Sequence, residues 1–206
     1  MTVPRVKICG ITRLEDALLA AELGADALGF NFWPQSKRYC DPDNARAIVS
    51  RLPPFITSVG VFVNPDKQNA LAIARQVRLS VIQLHGDESA AFCDNWDFPL
   101  IKGVQLKENF DFDTLRAFPV TALLLDSASP GYGGSGVALN FQLLEGKLLH
   151  RPLILAGGLT QDNVQPAIRA VRPYGIDVAS GVESSPGIKD PLKMARFIQR
   201  AKEAFL

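Results

Sequence analysis

A thiol and a carboxyl group, far apart in the chain, stand in similar contexts. Cys9 closes the run Arg5-Val6-Lys7-Ile8-Cys9, and Asp126 follows Ala122-Leu123-Leu124-Leu125. An ionised thiol can remove a proton and a protonated carboxyl can donate one, so the two have the makings of an acid and a base flanking a bound sugar. Each also has a plainer reading: free cysteine is usually a small buried apolar residue, and a carboxylate after an apolar run can cap the next turn. His85 and Gln83 are two apart and share a strand face, either to meet a substrate or as a hydrogen-bonded structural pair. Arg38, in Trp33-Pro34-Gln35-Ser36-Lys37-Arg38, is a substrate-binding cation or a solvated loop charge.

Glycines supply a second kind of chemistry. Ala156-Gly157-Gly158 and Ala179-Ser180-Gly181 each follow a short apolar run and echo one another. Glycine after a strand lets backbone N–H groups approach an anion closely, so Gly157, Gly158, Ser180 and Gly181 are read as phosphate-binding. A third cluster, Gly131 to Gly136, adds Gly134 as a residue that closes over the ligand. Taken singly, such loops are most often plain turns.

These residues need a scaffold that collects them. Short β-branched runs alternate eight times with amphipathic stretches. The expected strands are Arg5 to Cys9, Ala27 to Phe30, Ile56 to Phe62, Val81 to Leu84, Leu100 to Val104, Ala122 to Leu125, Leu153 to Ala156 and Ile176 to Ala179. The expected helices are Leu14 to Leu23, Asp43 to Arg51, Asp66 to Gln76, Glu88 to Trp96, Phe112 to Phe118, Phe141 to Lys147, Gln161 to Val171 and Pro191 to Phe205. Asp43 and Asp66 stand where a side chain caps a helix start, Gly24 where a helix closes, and Pro191 in a first turn. Alternation of this kind predicts an α/β fold, a single-domain (β/α)8 TIM barrel over residues 1–206, with an open doubly wound sheet as the rival. In such a barrel the active site lies where strands end. The strand ends here are Cys9, Asn31, Asn64, His85, Gln105, Asp126, Gly157-Gly158 and Ser180-Gly181. Closure would set strand eight beside strand one and pair Lys7 with Asp177, so that Lys7 helps the Cys9 thiol ionise.

Composition narrows the rest. The chain has 206 residues and a net charge of +1, which gives no field for nucleic acid or an anionic membrane. No signal peptide or membrane-spanning run is evident, so a cytoplasmic protein is expected. Three irregularly spaced cysteines and two histidines make neither a disulfide framework nor a metal site. No cofactor and no metal is expected, and a monomer is favoured over a homodimer, because only an exposed apolar patch would argue for a dimer.

The chain resembles the phosphoribosylanthranilate isomerase family along essentially its whole length. The resemblance rests on Lys7-Ile8-Cys9-Gly10-Ile11-Thr12, on Gly29-Phe30-Asn31-Phe32 with Ser36-Lys37-Arg38, and on Gly60-Val61-Phe62-Val63-Asn64. Further on it rests on Gln83-Leu84-His85-Gly86-Asp87-Glu88, Leu124-Leu125-Asp126, Ala156-Gly157-Gly158-Leu159 with Asn163-Val164, and Asp177-Val178-Ala179-Ser180-Gly181-Val182-Glu183. It implies a metal-free Amadori rearrangement of a phosphorylated aminoaldose to an aminoketose in tryptophan biosynthesis. By the same resemblance Cys9 is the general base, Asp126 the general acid, and Arg38 the partner of the anthranilate carboxylate. Asp177, His85 and Gln83 join the substrate site. The chain departs from the family after Gly136, where Val137-Ala138-Leu139-Asn140-Phe141 replaces a Lys and an aromatic-Asp-Trp run. Glu183, so near a phosphate site, is expected to face away from it. The related barrel of histidine biosynthesis is expected to carry an aspartate at the first strand end, and Cys9 speaks against it. The opening motif likewise does not resemble the tryptophan synthase alpha subunit. A non-catalytic phospholigand-binding barrel remains an alternative that only turnover separates.

Overall fold

The computed structural model describes residues 3–106, 110–127, 144 and 150–205. The glycine cluster with Gly134 and nearly all of the expected Phe141 to Lys147 helix lie outside the described residues.

All eight expected strands form, with ends shifted by no more than two residues. They are β1 (Arg5–Cys9), β2 (Ala27–Asn31), β3 (Thr57–Phe62), β4 (Val81–Leu84), β5 (Leu100–Leu106), β6 (Ala122–Ser127), β7 (Leu153–Leu155) and β8 (Gly175–Val178). Each pairs in parallel with the next, and β8 pairs with β1 through Arg5↔Gly175 and Lys7↔Asp177, which closes the barrel. The open doubly wound sheet is thereby excluded. The register also sorts the side chains. Val59, Ile101, Ala122, Leu124, Ile154 and Ala156 form a cluster with Ala27 and Val81 packed against it, and these alternate residues fill the barrel interior. A second, larger cluster, including Ile8, Leu28, Ile82, Leu123, Leu125 and Phe197, lies between the strands and the helices. Burial of each such side chain contributes about 1.5–3 kcal/mol. By pleat, Asp126 faces inward with Leu124, Gln83 with Val81, and Lys7 with its partner Ala27.

Among the described residues five α-helices cover the strands: α1 (Leu14–Glu22), α2 (Pro42–Val49), α3 (Lys67–Val77), α4 (Val164–Val171) and α5 (Pro191–Lys202). Gly24, at φ +94°, ends α1 with hydrogen bonds from Gly24 N to Ala21 O and from Ala25 N to Ala20 O. Asp66 caps α3 by accepting from Asn69 N. The cap of α2 is Asp41, not Asp43: Asp41 accepts from the Asp43 N–H, and Pro42 takes the first turn.

The fourth expected helix does not form. Between β4 and β5 only Ala91–Cys93 makes a short 3₁₀ turn, and the expected fifth helix is likewise 3₁₀ over Phe112–Ala117. The first is prevented by a contact from the next strand, since the Glu88 carboxylate turns inward to Lys102, and by Asn95, which takes a left-handed φ of +56°. After β8 the chain adds a hairpin that the strand pattern did not signal, β9 (Glu183–Ser185) antiparallel to β10 (Ile188–Lys189).

Candidate active site

The inner ends of β1 and β8 carry an ion pair beside the thiol. Lys7 Nζ lies 2.9 Å from Asp177 Oδ1, with side chains 5% and 10% exposed. Cys9 Sγ and the Lys7 ammonium both lie over Gly29 of β2, where a Cβ would stand 2.8 Å from the sulfur and 3.1 Å from Nζ. Burial pulls the Lys7 pKa down, but Asp177 and then Cys9 outweigh it, so it stays above its ordinary 10.5. For Cys9 burial dominates: it pushes the thiol above 9.0, while Lys7 and Lys189 pull it down and Asp177 pushes it up. Lys7 thus acts in the expected direction but does not by itself make a thiolate. Cys40 is a contrasting case, a thiol raised to about 11 by burial and remote from these charges.

Across the mouth, Asp126 is buried at the end of β6 and meets His85 Nε2 at 3.3 Å. The Gln83 amide Nε2 lies 2.9 Å from His85 Nδ1. The Gln83 amide and the Asp126 carboxyl thus hold the two ring nitrogens of His85 from opposite sides. The ring fits because β5 has a glycine beneath it: a Cβ at Gly103 would stand 2.3 Å from Nδ1 and 3.0 Å from Cε1. His85 and Gln83 therefore form the hydrogen-bonded pair that was one of their two readings, and the pair ends on Asp126. Two further residues escaped that reading. Lys102 Nζ donates to Gly86 O (2.7 Å), Gly103 O (2.8 Å) and Glu88 Oε2 (2.9 Å), and Glu88 accepts from the N–H groups of Asn64 and Gly86. This buried pair ties the ends of β3, β4 and β5 together around His85. The signal was available: a lysine inside the apolar run Leu100-Ile101-Lys102 has no place in a buried strand unless it is paired.

Between β6, β7 and β8 the glycine loops enclose a small cleft of about 50 Å³, lined by Asp126, Ser127, Gly157, Gly158, Asp177 and Ser180, among others. Gly157 has φ +89°, and a Cβ there would stand 2.5 Å from Ser127 N and 2.9 Å from Asp126 Oδ1. Asn163 braces the loop, accepting from Thr160 N and donating to Gly158 O. Gly181 also packs its Cα so closely on the Leu159 carbonyl that a Cβ would stand 2.0 Å from it. It locks the β7 and β8 loops together, while Gly157, Gly158 and Ser180 line the cleft.

Arg38 completes the mouth. Its guanidinium grips Glu183, with Nε at 2.9 Å and 3.1 Å from the two carboxylate oxygens and Nη2 at 2.7 Å from Oε2. Glu183 does turn from the glycine cleft, as expected, and its basic partners are Arg38 and Lys189 Nζ (2.9 Å). Burial would raise the Glu183 pKa, yet hydrogen bonds from Arg38 and the charge of Lys189 hold it below 4.5. Lys189, fully buried, was not singled out by its position in the sequence. Among the described residues there is no cluster of His, Cys, Asp and Glu that would hold a metal ion, and no helix is long and apolar enough to cross a membrane.

The arrangement is a thiol and a carboxyl on the inner face of one mouth, with a glycine-lined cleft and a carboxylate-paired arginine at its rim. Sequence comparison matches residues 6–200 to the family described as N-(5'phosphoribosyl)anthranilate (PRA) isomerase. The N-(5'-phosphoribosyl)anthranilate isomerase of Geobacter sulfurreducens is 49% identical over 199 residues, which is 96% of this chain and 98% of that protein. The crystal structure of phosphoribosyl anthranilate isomerase from Thermotoga maritima superposes with a TM-score of 0.89 at 45% identity, covering 97% of this chain and 99% of that one. A phosphoribosyl anthranilate isomerase in complex with reduced 1-(o-carboxyphenylamino)-1-deoxyribulose 5-phosphate superposes with a TM-score of 0.86 at 42% identity, with the same coverage. The chain belongs to the N-(5'-phosphoribosyl)anthranilate isomerase family.

Proposed function

We propose that this chain isomerises N-(5'-phosphoribosyl)anthranilate to 1-(2-carboxyphenylamino)-1-deoxyribulose 5-phosphate, the step of tryptophan biosynthesis for which its family is named. The observation that carries the residue assignments is that Cys9 and Asp126 stand at the ends of different strands of one barrel, with Asp126 and Asp177, the partner of Lys7, lining the glycine cleft. Asp126 gives its proton to the furanose ring oxygen as the C1–O bond breaks, and the anilino nitrogen lone pair forms the iminium. The Cys9 thiolate takes the proton from C2, and that electron pair makes the C1=C2 bond while the iminium electrons return to nitrogen. Tautomerisation of the resulting enol leaves a ketone at C2 and a methylene at C1. The cationic intermediate supplies positive charge next to a thiol that burial otherwise keeps protonated, and so favours loss of the thiol proton to water before the C2 proton is taken. The phosphate lies against Gly157, Gly158 and Ser180, and the anthranilate carboxylate against Arg38. Incubating the purified protein with fluorescent phosphoribosylanthranilate tests this reading: fluorescence is expected to decay enzymatically, and binding without decay would make the chain a ligand-binding barrel instead.

The closed cytoplasmic setting suggested by composition remains our proposal. For assembly we propose a homodimer in place of the expected monomer. Phe55, at φ +72°, is 99% exposed and Tyr174 is 58% exposed, and both border an apolar-lined opening of about 750 Å³ at the N-terminal end of the barrel. We propose that two copies meet there, each Phe55 entering the other's opening about a two-fold axis. Light scattering on wild type is expected to give twice the chain mass and Phe55→Asp the single mass. A wild-type monomer at micromolar concentration would refute it.

A further inference from the structure

One buried carboxylate links two groups that the proposed reaction needs. Glu183 begins β9, with its side chain 5% exposed, and accepts from Arg38 on one side and Lys189 on the other. Lys189 Nζ has three N–H donors and meets three acceptors: Cys9 O at 2.5 Å, Glu183 Oε1 at 2.9 Å and Ala179 O at 3.4 Å. The hairpin that carries both residues is itself tied down, by Thr12 Oγ1 to Gly187 O (2.5 Å), Gly187 N to Glu183 Oε1 (3.2 Å) and Lys193 Nζ to Glu183 O (2.9 Å). The Asp16 carboxylate, held by Arg13, accepts from Lys189 N. These bonds set the carboxylate in one place before any substrate arrives.

The geometry at Arg38 is equally constrained. Its aliphatic stem lies on Gly10, whose φ is +75° and where a Cβ would stand 2.6 Å from Arg38 Cδ. A guanidinium has five N–H bonds in a plane, and Glu183 takes the Nε edge together with one bond of Nη2. What remains is the outer edge, Nη1 with the second Nη2 bond, which is again a planar two-donor fork. Nη1 meets no protein acceptor among the described residues, and the side chain stays 16% exposed. The guanidinium is also close enough to Cys9 to feel its charge.

We propose that Glu183 is a positioning residue: it clamps Arg38 by the inner edge so that the outer edge is preset to receive a planar aromatic carboxylate, and through Lys189 it fixes the Cys9 end of β1 in the same frame. This rests on the reading of Arg38 as the anthranilate partner given above. The physical gain is entropic. An arginine already ordered by one carboxylate loses little freedom on binding a second, whereas a free one surrenders most of its rotamers. A plain structural ion pair would support the fold without distinguishing substrates that carry the carboxylate from those that lack it.

The test is steady-state kinetics on Glu183→Gln, Arg38→Met and the double variant, with phosphoribosylanthranilate and with its aniline congener lacking the carboxylate. Glu183→Gln is expected to raise KM for the carboxylated substrate about 10- to 30-fold and to leave KM for the congener within about twofold. In the Arg38→Met background the same change is expected to add nothing further to KM. Equal effects on both substrates, or additive effects in the double variant, would overturn the proposal. If Arg38→Met itself left KM for the carboxylated substrate unchanged, the reading of Arg38 would fall, whatever Glu183 did. If Glu183→Gln does not fold, ¹⁵N-arginine spectra of the wild type decide. The Arg38 Nε–H signal, assigned by Arg38→Lys, is expected to be protected from solvent exchange and unmoved by the reduced product analogue, while its Nη signals shift. An Nε–H that exchanges freely would refute the clamp.

Discussion

Replacing Gly103 by alanine probes how the barrel holds its acid. The added Cβ would stand 2.3 Å from His85 Nδ1, 2.9 Å from Cγ and 3.0 Å from Cε1. Carbon contacts settle at about 3.5–4.0 Å, so the ring must retreat by roughly 1 Å or more. It cannot swing freely, because Gln83 holds one nitrogen at 2.9 Å and Asp126 meets the other at 3.3 Å. Overpacking of this kind costs about 1–3 kcal/mol, offset by about 0.5–1 kcal/mol because alanine orders more readily than glycine in a strand. The net destabilisation is therefore at most about 2.5 kcal/mol, or up to roughly 10 °C in Tm for a chain of this length. The catalytic effect should be larger than the thermal one, since a displacement of about 1 Å in a catalytic group can cost on the order of 10²-fold. The assay is kcat for phosphoribosylanthranilate with the melting temperature measured in parallel. A Gly103→Ala enzyme with wild-type kcat would show that the His85 contact does not set the geometry of Asp126.

Two further expectations concern charge. Because burial raises the Cys9 thiol, its alkylation by iodoacetamide in the free protein should have a midpoint above pH 9, and Lys7→Met should move it higher still by removing a cation that favours the thiolate. A midpoint near 7 would contradict this. The Glu183 carboxyl is held below 4.5 in the fold, so its contribution to stability is complete above that value and is lost as pH falls through the lower, folded one. The stability advantage of wild type over Glu183→Gln, measured by urea unfolding, should therefore shrink as pH drops from about 5 toward 3, and a constant difference would exclude the linkage.

How far the sequence disclosed this structure depends on whether a residue's job is local or collective. Strands such as Ala122 to Leu125 are legible because a parallel barrel buries both faces, which forces continuous apolar runs. Closure then fixes the pairing of Lys7 with Asp177 from topology alone. The Glu88 to Trp96 segment has helical composition, but its first carboxylate is drawn into the barrel by Lys102, and no window of local sequence contains that contact. Gly103 and Lys189 were missed for the same reason. Gly103 matters only because a histidine from the neighbouring strand lies over it, and Lys189 only because the carbonyl of Cys9, 180 positions earlier, needs a donor. Asp41 was displaced by Asp43 in the reading because both fit a cap, and only Pro42 between them breaks the tie.

The most direct test of the account is kcat for Cys9→Ala and Asp126→Asn, measured under conditions where the chemical step limits turnover. Each is expected to lose about 10² to 10⁴ in kcat with KM little changed, since each removes one proton transfer and leaves the cleft and Arg38 in place. A Cys9→Ala enzyme that turned over at close to the wild-type rate would contradict the central claim that this thiol takes the proton from the sugar.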